Sequence, residues 1–258
     1  MSDAVGKWEQ AVLFQNNPLT AKNIPKTKIY SVKNLKKLLD RYDYVYVKHD
    51  TTGQGRSIYK ISKRKDNTFC FNGFTIQGKP VGRCVSTIEE FHQFLNPFLK
   101  FGRLSGPYVI QQAINSTTKN AQPFVIRVHV QNLKGKWIVG GMYSKIGLEE
   151  AVENGIVNSH QGAKVISIND LLSLHLHMKK SKKDKVINNI SKLATSAAEV
   201  MAQKYPCREY GLDIGLYKHG KPVIFEVNTT PSIRSFAEVE NKAVWKRIME
   251  IRKQQKEA

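Results

Sequence analysis

The chain has 258 residues, with 41 Lys plus Arg against 21 Asp plus Glu, so it carries a formal net charge of +20 while 41% of it is hydrophobic. That apolar share supplies a sizeable core and excludes wholesale disorder, and no run approaches the ~18 consecutive apolar residues of a membrane span. The opening MSDAVGKWEQ lacks a basic stretch followed by an apolar one, so the expectation is a cytoplasmic chain with no membrane partner. The charge predicts a field that attracts nucleic acid, phosphates, anionic surfaces or acidic substrates, without choosing among them. Cys70, Cys84 and Cys207 show neither CxxC spacing nor paired histidines nearby, and read as buried or incidental thiols rather than disulfide or zinc ligands.

In chain order, Ser31 is a good N-cap, and Val32, Leu35, Leu38, Leu39 and Tyr42 recur at helical spacing to near Asp43. Tyr44 to Lys48 is strand-like, the Gly-rich Thr51-Thr52-Gly53-Gln54-Gly55-Arg56 follows, and Ser57 to Ile61 is strand-like again. Thr87 and Glu90 form a capping-box pattern that opens a helix, which Pro97 is expected to bend or end. Tyr108 to Ala113, Phe124 to Gln131 and Lys136 to Tyr143 read as strands, the last two joined at Leu133-Lys134-Gly135. Residues 179–185, rich in lysine, read as a solvated loop. An apolar stripe from Val186 through Ile190, Leu193, Ala197 and Met201 predicts a helix that Tyr205-Pro206 stops. Leu212 to Tyr217 and Pro222 to Val227 are joined through Lys218-His219-Gly220-Lys221 as a hairpin. The fold class expected is α+β with antiparallel sheets.

The hairpin carries the sharpest chemistry. A two-residue turn at His219-Gly220 sets Asp213 directly opposite Glu226, and Asn228 lies on the same face by period-two alternation. Hard oxygen donors of this kind suit Mg²⁺, and paired carboxylates repel unless a cation lies between them; the plain alternative is a polar solvent face. Lys48 ahead of Gly53-Gln54-Gly55 suits phosphate binding, with a mobile charge beside backbone N–H groups that glycine leaves accessible, although a simple hairpin tip reads the same way. Residues 73–80 nearly match a Walker A loop, but Pro80 replaces the hydroxyl that would hold Mg²⁺, and the match is rejected. Arg127 and His129 share one strand face, and Lys145, Asn158, His160 and Gln161 add polar candidates; ordinary exposed charges are the alternative. His175 and His177 are too closely spaced to share a helix face as metal ligands.

These segments resemble the ATP-grasp superfamily, most closely its endospore coat-associated YheC/YheD group and more distantly the ribosomal-protein glutamate ligases, in order along almost the whole chain. Gly6-Lys7-Trp8 is similar to a first helix bearing a phosphate-binding lysine, Ile24-Pro25-Lys26-Thr27 to the "iPeT" segment, and YVYVKHDTTGQG to the strand and Gly loop over ATP. YVIQQAI is similar to the adenine hinge, with Gln111, Gln112 and Ile114 at the nucleotide. FVIRVHVQ is similar to "fDIRvlVq", Asn158 to Gly162 to "NlhrG", and GLDIGLYKHGKPVIFEVNTTP to the metal-holding hairpin. Lys145 stands where relatives have Arg, Val125 where many have Asp, and Gln161 where the glutamate ligases have Arg.

The resemblance implies an ATP-grasp fold of two α+β subdomains gripping ATP between antiparallel sheets. Residues 1–30 would be the first helix and connection, 31–107 the nucleotide-lid subdomain, and 108–258 the subdomain with the metal-binding hairpin. It implies a carboxylate-amine ligase acting through an acylphosphate on an acidic peptide or small carboxylate. Arg127, Lys145 and Asn158 would be catalytic; Lys7, Lys48, Gly53, Gln54, Gly55, Gln111, Gln112 and Ile114 would bind ATP; Asp213, Glu226 and Asn228 would hold Mg²⁺, two ions, with Mn²⁺ as a substitute. It also implies spore-coat association and a further chain completing the acceptor site. An ATP-binding but non-catalytic structural protein is the alternative. No specific nucleic-acid partner is expected, since no basic-aromatic pattern accompanies the charge.

Overall fold

The computed structural model describes residues 5–100, 107–158 and 161–257, the side chains of 96–100 excepted. Helix α1 (Lys7–Gln15) precedes β1 (Thr27–Ile29), α2 (Val32–Leu39) and the strands β2 (Tyr44–His49), β3 (Ile58–Lys63), β4 (Phe69–Phe74) and β5 (Pro80–Val85). Then come α3 (Ile88–Lys100), β6 (Tyr108–Gln112), β7 (Phe124–Leu133), β8 (Lys136–Ile146), α4 (Ala151–Asn154), β9 (Lys164–Ser167) and α5 (Ile168–Asp170). The long α6 (Lys180–Ala202), the hairpin β10 (Glu209–Tyr217) and β11 (Lys221–Asn228), and α7 (Ala243–Glu257) complete the order.

Two sheets form, a six-stranded one ordered β1-β6-β2-β3-β4-β5 and a five-stranded one ordered β11-β10-β7-β8-β9. Their pairings are antiparallel, as expected for this fold class. In the first sheet, alternation turns Val45, Val47, Tyr59 and Ile61 onto Leu35 and Leu38 of α2 and Phe91 and Leu95 of α3. In the second, Ile126, Val128 and Val130 of β7 share one core with Ile190, Ala194, Ala197 and Met201 of α6. The opposite face is covered by α7, with Ile248 packed against Tyr143, Phe236 and Val239. Arg127, His129 and Gln131 alternate with the core residues of β7 and so face this second side, which opens onto the cleft described below.

The predicted caps form. Ser31 Oγ accepts from Asn34 N at 3.1 Å; Thr87 Oγ1 accepts from Glu90 N at 3.3 Å while Glu90 Oε1 accepts from Thr87 N at 3.1 Å.

Four expectations change. Helix α2 ends at Leu39, four residues early, because the Arg41 and Tyr42 N–H groups turn back onto Leu38 O in a closing turn. Helix α3 passes Pro97 to Lys100, its Ile88, Phe91 and Leu95 stripe fixed in the core. The lysine-rich stretch opens α6 instead of forming a loop, lysine being a good helix former. Cys70 and Cys84 are a disulfide, not free thiols: the β4–β5 register sets them directly opposite, Cα atoms 4.0 Å apart, a proximity that sequence spacing does not encode. Cys207 is free and half-buried. Among the described residues no helix is long and apolar enough to cross a membrane.

Candidate functional site

Asp213 pairs with Glu226, as the sequence predicts, but by another route. The turn has three residues, Lys218 to Gly220, with His219 at φ 61° and Gly220 at φ 81°, since Tyr217 pairs with Lys221 and Ile214 with Ile224. That register alone would set Asp213 against Phe225. A β-bulge between Asp213 and Ile214 adds one residue to β11, restoring the Asp213–Glu226 pair and Gly211–Asn228 beside it. The extra residue, Phe225, lays its ring over Gly215, where a Cβ would come within 2.1 Å of the ring.

Arg127, opposite Asp213 on β7, donates Nε to Oδ1 at 2.7 Å and Nη2 to Oδ2 at 3.0 Å. Burial opposes its charge, but Asp213 with help from Tyr143 and Glu226 more than offsets this, and its pKa is raised. Lys145, opposite Val125 on β8, has its pKa lowered by burial and by the Arg127 charge.

Lys48, the penultimate residue of β2, has Nζ donating to Gln111 Oε1 at 2.6 Å, and Phe225 and Tyr46 rings lie 5.9 and 5.4 Å from it. Burial, reinforced by Lys7 and only partly offset by Glu226 and Asp213, brings the ammonium down to about 8. Lys7 Nζ donates to the carbonyls of Asp50 at 3.1 Å and Thr52 at 2.8 Å, and lies 3.9 Å from Glu226 Oε1. It therefore ties α1 to the base of the Gly loop and to the hairpin at once. The loop's far side is held by Asn158, whose Nδ2 donates to Gln54 O at 2.6 Å. Gly55 sits at φ +68°, and a Cβ there would meet Asn158 at 2.8 Å, so this close approach requires glycine.

These groups line one cleft of about 460 Å³ between the two sheets. Every residue that the sequence singles out for nucleotide, metal or catalysis lies on its wall: Lys7, Lys48, Gly53, Gln54, Gly55, Gln111, Gln112, Ile114, Arg127, Lys145, Asn158, Asp213, Glu226 and Asn228. Val125 lines it too. His129 does not: it is fully buried beneath the sheet with Nε2 3.1 Å from Glu209 Oε2. Gln161 is not among the lining residues either, and Ser159 and His160 lie outside the described residues.

Sequence reasoning missed His49, Asp50 and Phe225. His49 Nδ1 accepts from the N–H groups of Thr51 at 3.3 Å and Thr52 at 3.2 Å, folding the loop's first turn. Asp50 Oδ1 accepts from Trp8 N at 2.7 Å, capping α1 where Gly6 has no side chain to do so. The signal for His49 was present in the alternation of Val45, Val47 and His49 on the buried face. Phe225 depends on the bulge and had no signal.

The donor set suits a hard cation. Two carboxylates and a carboxamide share one face of a strand pair, and Asn228 Nδ2 turns to Gly211 O at 3.4 Å, leaving its Oδ1 as a donor. Among the described residues no cluster of three or more His, Cys, Asp or Glu is placed to hold a metal; a cation here would have two carboxylates only.

The family model described as YheC/D like ATP-grasp matches residues 2–252, and the chain belongs to that family. It is 25% identical over 237 residues to the endospore coat-associated protein YheD of Bacillus subtilis (strain 168), covering 90% of this chain and 49% of the relative, so it spans about half that protein's length. Solved structures of ligases share the fold. The D-alanine-D-alanine ligase of Coxiella burnetii matches 98% of this chain and 58% of its own at a TM-score of 0.55 and 11% identity. The L-amino acid ligase of Bacillus licheniformis matches 92% and 43% at 0.53 and 15% identity. The fold is therefore ATP-grasp.

Proposed function

Starting from membership of the YheC/D-like ATP-grasp family, we propose that this chain uses ATP to activate a carboxylate and joins it to an amine, releasing ADP and phosphate. One observation supports this above the rest: oxygen donors Asp213, Glu226 and Asn228 share a cleft with five cationic side chains, Lys7, Lys48, Arg56, Arg127 and Lys145. In the proposed reaction a substrate carboxylate oxygen attacks the γ-phosphorus and ADP leaves with the bridging oxygen. The amine then attacks the acylphosphate carbonyl carbon, phosphate departs with the former carboxylate oxygen, and the nitrogen gives its proton to solvent.

Lys7 and Lys48 would neutralise the triphosphate, and Arg127 and Lys145 the charge on the phosphoryl group in flight. Arg127 uses Nε and Nη2 on Asp213 and so is held in one orientation for this role. Gln111, Gln112 and Ile114 would edge the adenine, and Gly53 to Gly55 with Asn158 would close over the phosphates and exclude water. Asp213, Glu226 and Asn228 would hold Mg²⁺, two ions in this reading, which when bound supplies charge neutralisation between the phosphates. The +20 net charge favours an anionic carboxylate or acidic peptide as substrate. A further chain would complete the acceptor side.

A second reading takes its support from the name of the curated relative: a coat-associated protein that binds ATP without consuming it. Hydroxylamine separates the two. With Mg-ATP and a panel of acidic peptides and small carboxylates, a ligase yields hydroxamate together with stoichiometric ADP, because hydroxylamine intercepts the acylphosphate. Nucleotide binding with no ADP or hydroxamate above background from any carboxylate supports the structural reading.

A further inference from the structure

Away from the nucleotide cleft, a second groove of about 680 Å³ lies between α6 and the β10–β11 turn. Its rim carries Lys182, Lys185 and Lys192, which fall on one face of α6 at three- and seven-residue steps, and Lys218 and Lys221, which open and follow the hairpin turn. Among the described residues no Asp or Glu lines it, and all five lysines are exposed. Among the described residues none of the five makes an ion pair. The first turn of α6 has no acidic residue and its N-cap makes no side-chain hydrogen bond, so the positive end of the helix dipole adds to the lysine charge instead of being compensated. In the free protein these like charges repel one another. Helix α6 is held to the core by its apolar residues, Val186 and Leu193 among them, and not by these lysines.

We propose that this groove binds an acidic segment of a polypeptide, a function separate from the nucleotide cleft and independent of the ligase reading. The side chains choose a polypeptide over a phosphate polymer. There is no arginine among the lining residues, so no planar fork is offered to a phosphate, and the His219 imidazole is the single aromatic ring among them, too few to stack successive bases. Beside the polar Asn23, Asn189 and Ser196 the floor has an apolar part: Val186 and Leu193 are buried beneath the rim, Pro222 closes one side, and Leu19 stands 58% exposed at the edge. A chain that alternates carboxylates with apolar residues satisfies both the rim and the floor. A polyphosphate or nucleic acid leaves the floor uncovered. The turn that carries Lys218 and Lys221 is continuous with the strands that bear Asp213 and Glu226, five residues and so roughly 17 Å along the strand from Asp213 to Lys218. A partner seated there is thus beside the site without occupying it.

The probe is a fluorescein-labelled twelve-residue peptide of alternating Glu and Leu, read by anisotropy at low and physiological salt against the full chain. Two variants remove equal charge: K185Q/K192Q/K218Q/K221Q from the groove, and K33Q/K37Q/K63Q/K65Q from exposed lysines elsewhere. The groove variant is expected to bind at least about 10-fold more weakly, since each exposed ion pair contributes a fraction of that factor and four are removed, with the control within about twofold of wild type. Leu19→Ser is expected to weaken the Glu-Leu peptide but not an all-Glu one. Thermal melting checks that the variants fold, and the double variant K185Q/K192Q gives the same reading if the quadruple does not. Equal loss in groove and control variants, or no saturable binding of the peptide, overturns the proposal. So does tighter binding of oligo-dT or inorganic polyphosphate that the groove variant alone abolishes, which would make the site one for phosphate polymers.

Discussion

Glu209→Gln isolates the contacts that hold α7 against the sheet. Glu209, with its side chain 19% exposed, accepts from His129 Nε2 at 3.1 Å, from Arg252 Nε at 3.0 Å, and from Arg252 Nη2. Burial alone would raise its pKa, but hydrogen bonds and charge from His129 and Arg252 hold it at about 2, against an ordinary value of 4.5. A depressed carboxyl stabilises the fold fully above its ordinary range and loses that contribution as pH falls toward the depressed value. The difference corresponds to about 3 kcal/mol at pH 7 and about half that at pH 3. Urea unfolding of wild type and Glu209→Gln at both pH values measures it. The account expects the gap between the two proteins to shrink by about half from pH 7 to pH 3. A gap below about 1 kcal/mol at pH 7, or one equal at both, refutes the assignment of this cluster as a charge-stabilised clamp.

Asp213→Asn and Glu226→Gln are each expected to abolish Mg²⁺-dependent ATP turnover, Glu226→Gln with little change in urea midpoint and Asp213→Asn with a lowered one because it breaks the bidentate pair with Arg127; retained turnover in both removes the metal role. Gly215→Ala drives a methyl into the Phe225 ring, within 2.1 Å, and is expected to cost about 1–3 kcal/mol and to weaken Mg-ATP binding through the displaced bulge, an effect checked by calorimetry. Lys48, brought down to about 8, is mostly neutral at pH 8.5 in the free protein, so ATP binding there is expected to draw in up to about 0.8 proton; calorimetry in two buffers of different ionisation enthalpy reads this, and Lys48→Met removes it. The same depressed lysine costs stability below about 8, a cost that disappears as pH rises past its ordinary value. Thiol titration of the denatured, unreduced chain is expected to find Cys207 only, with Cys70 and Cys84 joining it after reduction.

Much of this site is legible in the sequence because period-two alternation is local: once β7, β10 and β11 are recognised, the faces of Arg127, Asp213, Glu226 and Asn228 follow. The Asp213–Glu226 pair illustrates the limit. A two-residue turn predicts it, yet a three-residue turn and a bulge deliver it, two departures of one residue each that cancel. Bulges answer to tertiary crowding, here the approach of Phe225 to Gly215, which no local pattern records. His129 shows the complementary failure. Alternation correctly gives it the face of Arg127, but whether that face opens on a cleft or lies under a helix depends on α7, more than a hundred residues later. The Cys70–Cys84 bridge likewise depends on strand register, and the ordering of the Gly loop depends on Lys7 and His49, which reach it from either side of a fold not yet formed in the sequence view.

The most direct test of the nucleotide site is thermal unfolding of wild type and Glu226→Gln with ATP and Mg²⁺, together and singly, because a ligand that binds only the folded state raises its melting temperature. Mg-ATP together is expected to stabilise the wild type well beyond either component alone, and Glu226→Gln to lose most of that gain. Saturating Mg-ATP that shifts neither protein, or shifts both equally, would contradict it.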